Sequence, residues 1–401
     1  MEEKKYGEIE KNNERYLTKL SKIDKKIDDG GWNRWVWVRR YQAGLKVLEE
    51  VLSLESKSLG LIRSVEKVSE ALFGETEVDW QKELGKIQLE LDEVEIGMGK
   101  LQARLGGDWT WLPARFKAEP QKLRREMERV RTTMDLSRKA LSLAPEFLGL
   151  DGKRREYLML FQNEMELRPG GGFIGAYGIL SFEGGKLLNL DIRDIYEADG
   201  QLKGHVEPPE EIKTILGEEG WFMRDANWET NFSVASTQIQ WFLEKETGRK
   251  VDGVIGINLA VAKAVLEVTG EVEVMDFREK INKDNLFEQA EFYAETKFFP
   301  GSNQKASFLG GLGKQLFEEI KGMSSRKKLE MYETMIDQLE KNEIQVALNN
   351  KKAAKKLGDL GWDGAIYGGK CSIERCMADY LYLVEANLGV NKANYFIYRN
   401  I

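Results

Sequence analysis

The chain has 401 residues, 42% hydrophobic and 32% charged, with 7 prolines and a mean hydropathy of −0.47. Disordered, collagen-like and bilayer-buried classes are excluded, and two or three structural units are expected. Its 60 Lys and Arg stand against 67 Asp and Glu, a net charge of −7, so no net basic field holds nucleic acid and no nucleic-acid partner is expected.

One histidine, His205, and two cysteines remove multi-imidazole catalytic zinc and cysteine-rich structural zinc. Cys371 and Cys376 lie five apart on loop-like text and read either as two free thiols or as one small disulfide.

Residues 1–29 read as a charged helix with no apolar segment of the signal-peptide kind. The most apolar long stretch, 251–270, contains Asp252, Lys263 and Glu267 and reads as a buried strand and helix, so no membrane span is expected. The chain would also fit the soluble part of a longer anchored protein.

To about residue 144 the text is rich in Glu, Lys, Arg and Leu and predicts a helical bundle or coiled-coil-like hairpin. Leu45, Leu48, Leu52, Leu59, Ile62, Val65 and Val68 form one stripe at helical spacing, and Leu84, Ile87, Leu91, Val94, Met98, Leu101 and Leu105 form another. Breaks are predicted at Gly30-Gly31, Phe73-Gly74 and Gly106-Gly107, and a further helix runs from about 120 to 143, stopped by Pro145. Trp32, Trp35 and Trp37, interleaved with Arg34, Arg39 and Arg40, read as tryptophans capping the bundle, with an interfacial belt or a stacking patch for nucleic acid as the sharper readings. A spacer or oligomerisation role, with homo-oligomers, is expected for residues 1–148.

After Gly149 the pattern changes, and residues 149–401 are expected to form one α/β domain. Residues 157–162 read as a strand, 173–182 and 186–195 as a hairpin turned by Gly184-Gly185, 232–246 as a helix, 253–257 as a strand, 259–268 as a helix and 271–274 as a strand. The fold class is therefore α+β or mixed α/β, with a three-layer domain around a mixed sheet. Helices return over 303–341. Strands at 344–348, 379–385 and 394–401 and a short helix at 351–357 are expected to complete the same domain.

Gly170-Gly171-Gly172-Phe173-Ile174-Gly175 matches a dinucleotide-binding glycine pattern, but β-like text follows where a helix is needed. Phosphate-loop, hydrolase-elbow and kinase strings are absent. Charge does sit beside glycine and aromatics at Glu166-Leu167-Arg168, Asp191-Ile192-Arg193-Asp194 and Arg224-Asp225-Ala226-Asn227-Trp228. Glycine lets a ligand approach, arginine grips phosphate, and aspartate holds a hard cation. The competing reading pairs Arg168, Asp194, Arg224 and Asp225 with each other as a buried ion network. Gly361-Trp362-Asp363-Gly364 and Ala386-Asn387-Leu388-Gly389-Val390-Asn391-Lys392 read mainly as turns, with Lys392 as a phosphate contact in the minority reading.

The run Tyr157-Leu158-Met159-Leu160-Phe161-Gln162 through Arg168-Pro169 into Gly171-Gly172-Phe173-Ile174-Gly175 resembles the hallmark of the bacterial domain-of-unknown-function family 4012 (DUF 4012). The Arg224 to Trp228 string, Val251-Asp252-Gly253-Val254-Ile255 and the two turn motifs resemble its later motifs in order. The resemblance implies a bacterial cell-envelope protein on the extracytoplasmic face of the membrane, usually carried by an N-terminal membrane helix. A more distant likeness of residues 251–274 is to LytR-CpsA-Psr proteins, which transfer glycans from polyprenyl pyrophosphate to the cell wall using arginines and magnesium.

On that likeness Arg224 and Asp225 are the catalytic candidates, and Arg168, Gly171, Gly172, Arg193, Asn227 and Lys392 the ligand contacts. Asp194 and Asp225 would hold magnesium, and the partner would be a lipid-linked glycan or cell-wall polymer. The alternative is a non-catalytic scaffold binding a polysaccharide or a protein.

Overall fold

Leucine-rich text without β-branched alternation builds helices in the first part of the chain, and glycine ends them. The computed structural model describes residues 2–107, 109–110, 112, 117–295, 304–366, 376–377, 381–389 and 392–397. The chain divides into two units, Met1–Ser142 and Leu143–Ile401.

The first unit contains α1 (Glu2–Asp29), α2 (Val36–Leu72), α3 (Trp80–Leu105) and α4 (Glu119–Leu141). All seven apolar positions of the α3 stripe are buried, and the six from Ile87 to Leu105 pack with Val47, Val51, Leu54 and Leu61 of α2 and with Met127 and Met134 of α4. On α2 the expected stripe is only partly right, since Leu48 and Val65 are exposed. That helix serves two neighbours, and the face turned to α3 runs through 47, 51, 54, 61 and 68 instead. Helices α1 and α2 are antiparallel. Arg63 holds Glu10 with two hydrogen bonds of 2.7 and 2.9 Å, and Asn13 donates to Glu55 at 3.0 Å. The turn between them needs Gly31, whose φ is 64°. Trp32, Trp35 and Trp37 are all exposed, so they do not cap the bundle as expected.

The second unit is built on a mixed sheet. Strand β1 (Arg155–Arg168) lies at its centre, antiparallel to β2 (Gly171–Glu183) and parallel to β4 (Gly253–Asn258). Strand β3 (Lys186–Asp194) continues antiparallel from β2, and β7 (Ile344–Leu348) pairs antiparallel with β4. Strand β1 is far longer than the 157–162 run suggested, running on past a register shift between Asn163 and Leu167 to pair Arg168 with Gly171. Residues 272–274 do not join this sheet. They form β5 (Val272–Val274) and pair with β6 (Glu279–Ile281) in a separate ribbon.

The register sets two faces. Leu158, Leu160, Ile174 and Val254 point to a core under α7 (Phe232–Thr247), filled by Phe232, Ile239 and Phe242. Phe161, Ala176 and Ile257 point the other way, as side-chain alternation requires. There the unit adds α8 (Leu259–Thr269), α9 (Leu286–Glu295) and α10 (Gln304–Lys321), whose own core joins Leu266, Leu286, Tyr293, Phe308 and Leu312. Helix α11 (Ser325–Glu340) precedes β7, and α12 (Lys351–Leu360) follows it.

Further on, the expected strands are absent among the described residues. Residues 381–385 have no regular structure, Ala393–Phe396 is a 3-10 turn, and 379–380 and 398–401 lie outside the described residues. Cys376 is disulfide-bonded, while Cys371 lies outside the described residues.

Candidate functional site

Between the second face of the sheet and α8 to α10 lies a cavity of about 910 Å³. Its apolar wall includes Phe161, Ile257, Val261, Val265, Leu312 and Leu316. The charged part of its lining comes from the end of β1, from Asp194 and the α6 helix (Ile195–Asp199) that follows it, from Glu218 and the turn Met223–Trp228, and from Glu291 and Lys392. Glu164, near the end of β1, accepts from the first amides of α8, Leu259 N at 2.8 Å and Ala260 N at 3.2 Å. It thereby caps a helix that walls the cavity.

Arg168, Arg224 and Asp225 converge, and their partners are carboxylates. Arg168 Nε donates to Asp225 Oδ1 and its Nη2 to Glu166 Oε1, both at 3.0 Å, with only 2% of the side chain exposed. Arg224 donates to Asp199 Oδ2 at 2.9 Å and to Glu218 Oε2 at 3.0 Å, faces Asp225 Oδ2 at 3.4 Å, and lies 4.4 Å over the Phe222 ring. Burial works against charge on Arg224, but the hydrogen bond and the charge of Asp199 prevail and its pKa is raised. Beneath it, burial pushes Asp199 up to about 6 against the pull of Arg224. Burial and then the Asp199 charge push Glu246 up to about 8. The convergence therefore carries Arg168, Arg224 and Asp225 of the ion network that the sequence offered as the competing reading, with Glu166, Asp199 and Glu218 in it and Asp194 outside it.

Of the residues singled out from the sequence, Arg168, Asp194, Arg224, Asp225 and Lys392 line the cavity, while Gly171, Gly172, Arg193 and Asn227 do not. Arg193 is exposed and pairs with Asp191 at 2.8 Å. Lys392 pairs with Glu291 of α9. Asn227 is fully buried and donates to Gly172 O at 2.7 Å. The glycines meet the chain itself: a Cβ on Gly170 would stand 2.5 Å from Asn227 O, and one on Gly172 would stand 2.2 Å from the Asn163 carbonyl carbon.

Magnesium does not fit the proposed pair. Asp225 already faces two guanidinium groups, and Asp194 caps α6 by accepting from Tyr196 N at 2.9 Å. Among the described residues no group of three His, Cys, Asp or Glu is placed to hold a metal.

Sequence reasoning missed Glu166, Asp199, Glu218 and Glu246 as members of the network. It also missed the apolar wall, whose residues are spread over 161–316 and share no local motif.

Residues 151–293 match the model of a family described as a protein of unknown function (DUF4012). This stretch is thus similar to that family, in line with the motifs at 157–175, 224–228 and 251–255. Those at 361–364 and 386–392 lie outside the match. No curated protein matches the chain. Among solved structures, a similar one is the crystal structure of protein gbs0355 from Streptococcus agalactiae, 12% identical over 53% of this chain and 74% of that one, with a TM-score of 0.33.

Proposed function

We propose that the second unit is a binding module of the bacterial cell envelope, receiving the apolar part of a lipid-linked ligand and keeping its polar head beside the charged end of the cavity. The observation that carries this is the cavity itself. A volume of about 910 Å³ walled by Ile, Leu, Val and Phe, with Arg168, Arg224 and Lys392 at its border held by Glu166, Asp225, Glu218 and Glu291, has the build of a site for an amphiphile, and its size is that of a true ligand site. The family resemblance supports the envelope, as does the disulfide at Cys376, because such bonds persist in oxidising compartments.

The test is extraction and mass spectrometry of the purified chain, followed by titration with a polyprenyl phosphate. Wild type should retain or bind the lipid, and Ala290→Trp, placed on the cavity wall, should not. No binding by a folded wild type would refute the proposal.

A LytR-CpsA-Psr-like phosphotransferase is the second reading, favoured by the convergence of Arg168, Arg224 and Asp225 at one end of the cavity. Here Arg168 and Arg224 would exchange carboxylate partners for pyrophosphate oxygens, which their forked geometry suits. Consumption of a polyprenyl-pyrophosphate-linked glycan in the presence of a cell-wall acceptor would support transfer. Binding without consumption would leave the module non-catalytic.

A further inference from the structure

The turn between α1 and α2 presents side chains that the bundle does not use. Trp32, Trp35 and Trp37 are 58%, 54% and 69% exposed, with Val36 and Tyr41 beside them at 57% and 51%. Exposed cations lie among these rings in sequence at Arg34, Arg39 and Arg40, and Lys22, Lys25 and Lys26 are exposed on the last turns of α1. Between residues 22 and 41 six cations stand against three acids, Asp24, Asp28 and Asp29, in a chain whose net charge is −7. Two of those acids are tied inward: Gln42 donates to Asp24 at 2.9 Å and to Asp28 at 3.0 Å.

The turn does not depend on the rings for its shape. Behind them Ile27, Val38 and Leu45 form their own small core, and helical spacing along the start of α2 buries Val38, Gln42 and Leu45 while leaving Trp37 out.

We infer that this tip docks on an anionic lipid surface. Indole rings combine an apolar body with a polar N–H and settle at the headgroup level of a bilayer. Arginine and lysine interleaved with them add attraction to anionic headgroups, each roughly a fivefold gain in partition. The rings project from a turn and the helix start that follows it, so they form no groove for a peptide. A symmetric contact between two copies would bring like charges together, which disfavours a second chain as occupant. The inference is independent of the cavity and of any ligand there.

The experiment uses the full chain with vesicles of phosphatidylcholine alone and of phosphatidylcholine mixed with phosphatidylglycerol. Wild type should sediment with the mixed vesicles, its tryptophan fluorescence should be quenched by brominated acyl chains, and added salt should weaken both signals. Trp35→Ala with Trp37→Ala should lower partition at least about tenfold, and Arg39→Glu with Arg40→Glu should do the same on the mixed vesicles only. Melting temperatures should be unchanged, since these side chains are exposed. The inference fails if wild type ignores both vesicles, if the variants bind as wild type does, or if the tryptophans are needed for dimer formation or single-stranded nucleic acid binding and not for vesicles.

Discussion

Glu246 and Asp199 are buried carboxyl groups near enough for the charge of Asp199 to bear on Glu246, and Glu246 Oε2 and Asp199 Oδ1 are both buried without a hydrogen-bond donor. Two buried like charges with no donor between them repel, so a proton kept by the pair relieves both. Burial and then the Asp199 charge raise Glu246 to about 8, and burial raises Asp199 to about 6, so near neutral pH the pair retains a proton. Asp199 also accepts from Arg224 through Oδ2. Glu246 Oε1 in turn accepts from Met223 N at 3.1 Å, fixing the turn that carries Arg224 and Asp225.

Stability of the second unit should therefore fall with rising pH. The folded chain holds both protons more tightly than the unfolded chain. The gain is full below the unfolded carboxyl values of 3.8 and 4.5 and is lost as pH passes about 6 and then about 8. Glu246→Gln keeps an acceptor for Met223 N and a donor for Asp199 and cannot ionise. Above about pH 6, where Asp199 has already ionised, its melting temperature should stay nearly flat, while that of wild type keeps dropping up to about pH 8, by at least about 4 °C. Parallel curves for the two proteins would refute the shared proton.

Two glycines should respond in opposite ways to alanine. Gly85 lies exposed inside α3 with nothing near the site of a Cβ, so Gly85→Ala should stabilise the helical unit by about 0.5–1 kcal/mol. At Gly172 the Cβ would strike the Asn163 backbone at 2.2 Å, and Gly172→Ala should cost more than about 2 kcal/mol, within the range for strained or overpacked sites. Urea unfolding of each variant gives both numbers.

Removing the cap on α8 should loosen one wall of the cavity. Glu164→Ala leaves the amides of Leu259 and Ala260 without their acceptor and should cost about 0.5–2 kcal/mol. Faster hydrogen exchange at those two amides, with the rest of α8 nearly unchanged, is the expected signature.

How much of this was legible in the sequence depended on how local the signal was. The α3 stripe and the hairpin of β2 and β3 follow from spacing alone, and both are present. The α2 stripe misled because spacing cannot say which of two neighbours a helix faces. Arg168, Arg224 and Asp225 were visible as charges beside glycine and aromatic residues. Their partners were not: Asp199 lies in ordinary turn text and Glu246 on a helix, and only the fold brings them under Arg224. The glycines after Arg168 suggested ligand approach, whereas what approaches is Asn163 and Asn227.

The last prediction separates a structural Arg224 from one that grips a ligand. The side chain answers Asp199 and Glu218 directly and faces Asp225, so Arg224→Ala strips a cation from carboxylates that are mostly buried. Breaking such a pair costs about 3–5 kcal/mol, and the melting temperature of the second unit should fall accordingly. Pairing the change with Asp199→Asn removes part of the uncompensated charge, so a purely structural arginine predicts that the double variant regains stability relative to Arg224→Ala. A gripping arginine predicts something further. In the stability-restored double variant, affinity for a polyprenyl phosphate should still be about tenfold weaker than in wild type, because a charge-assisted contact contributes about 1.5–3 kcal/mol. Binding equal to wild type in that variant would assign Arg224 to the network alone.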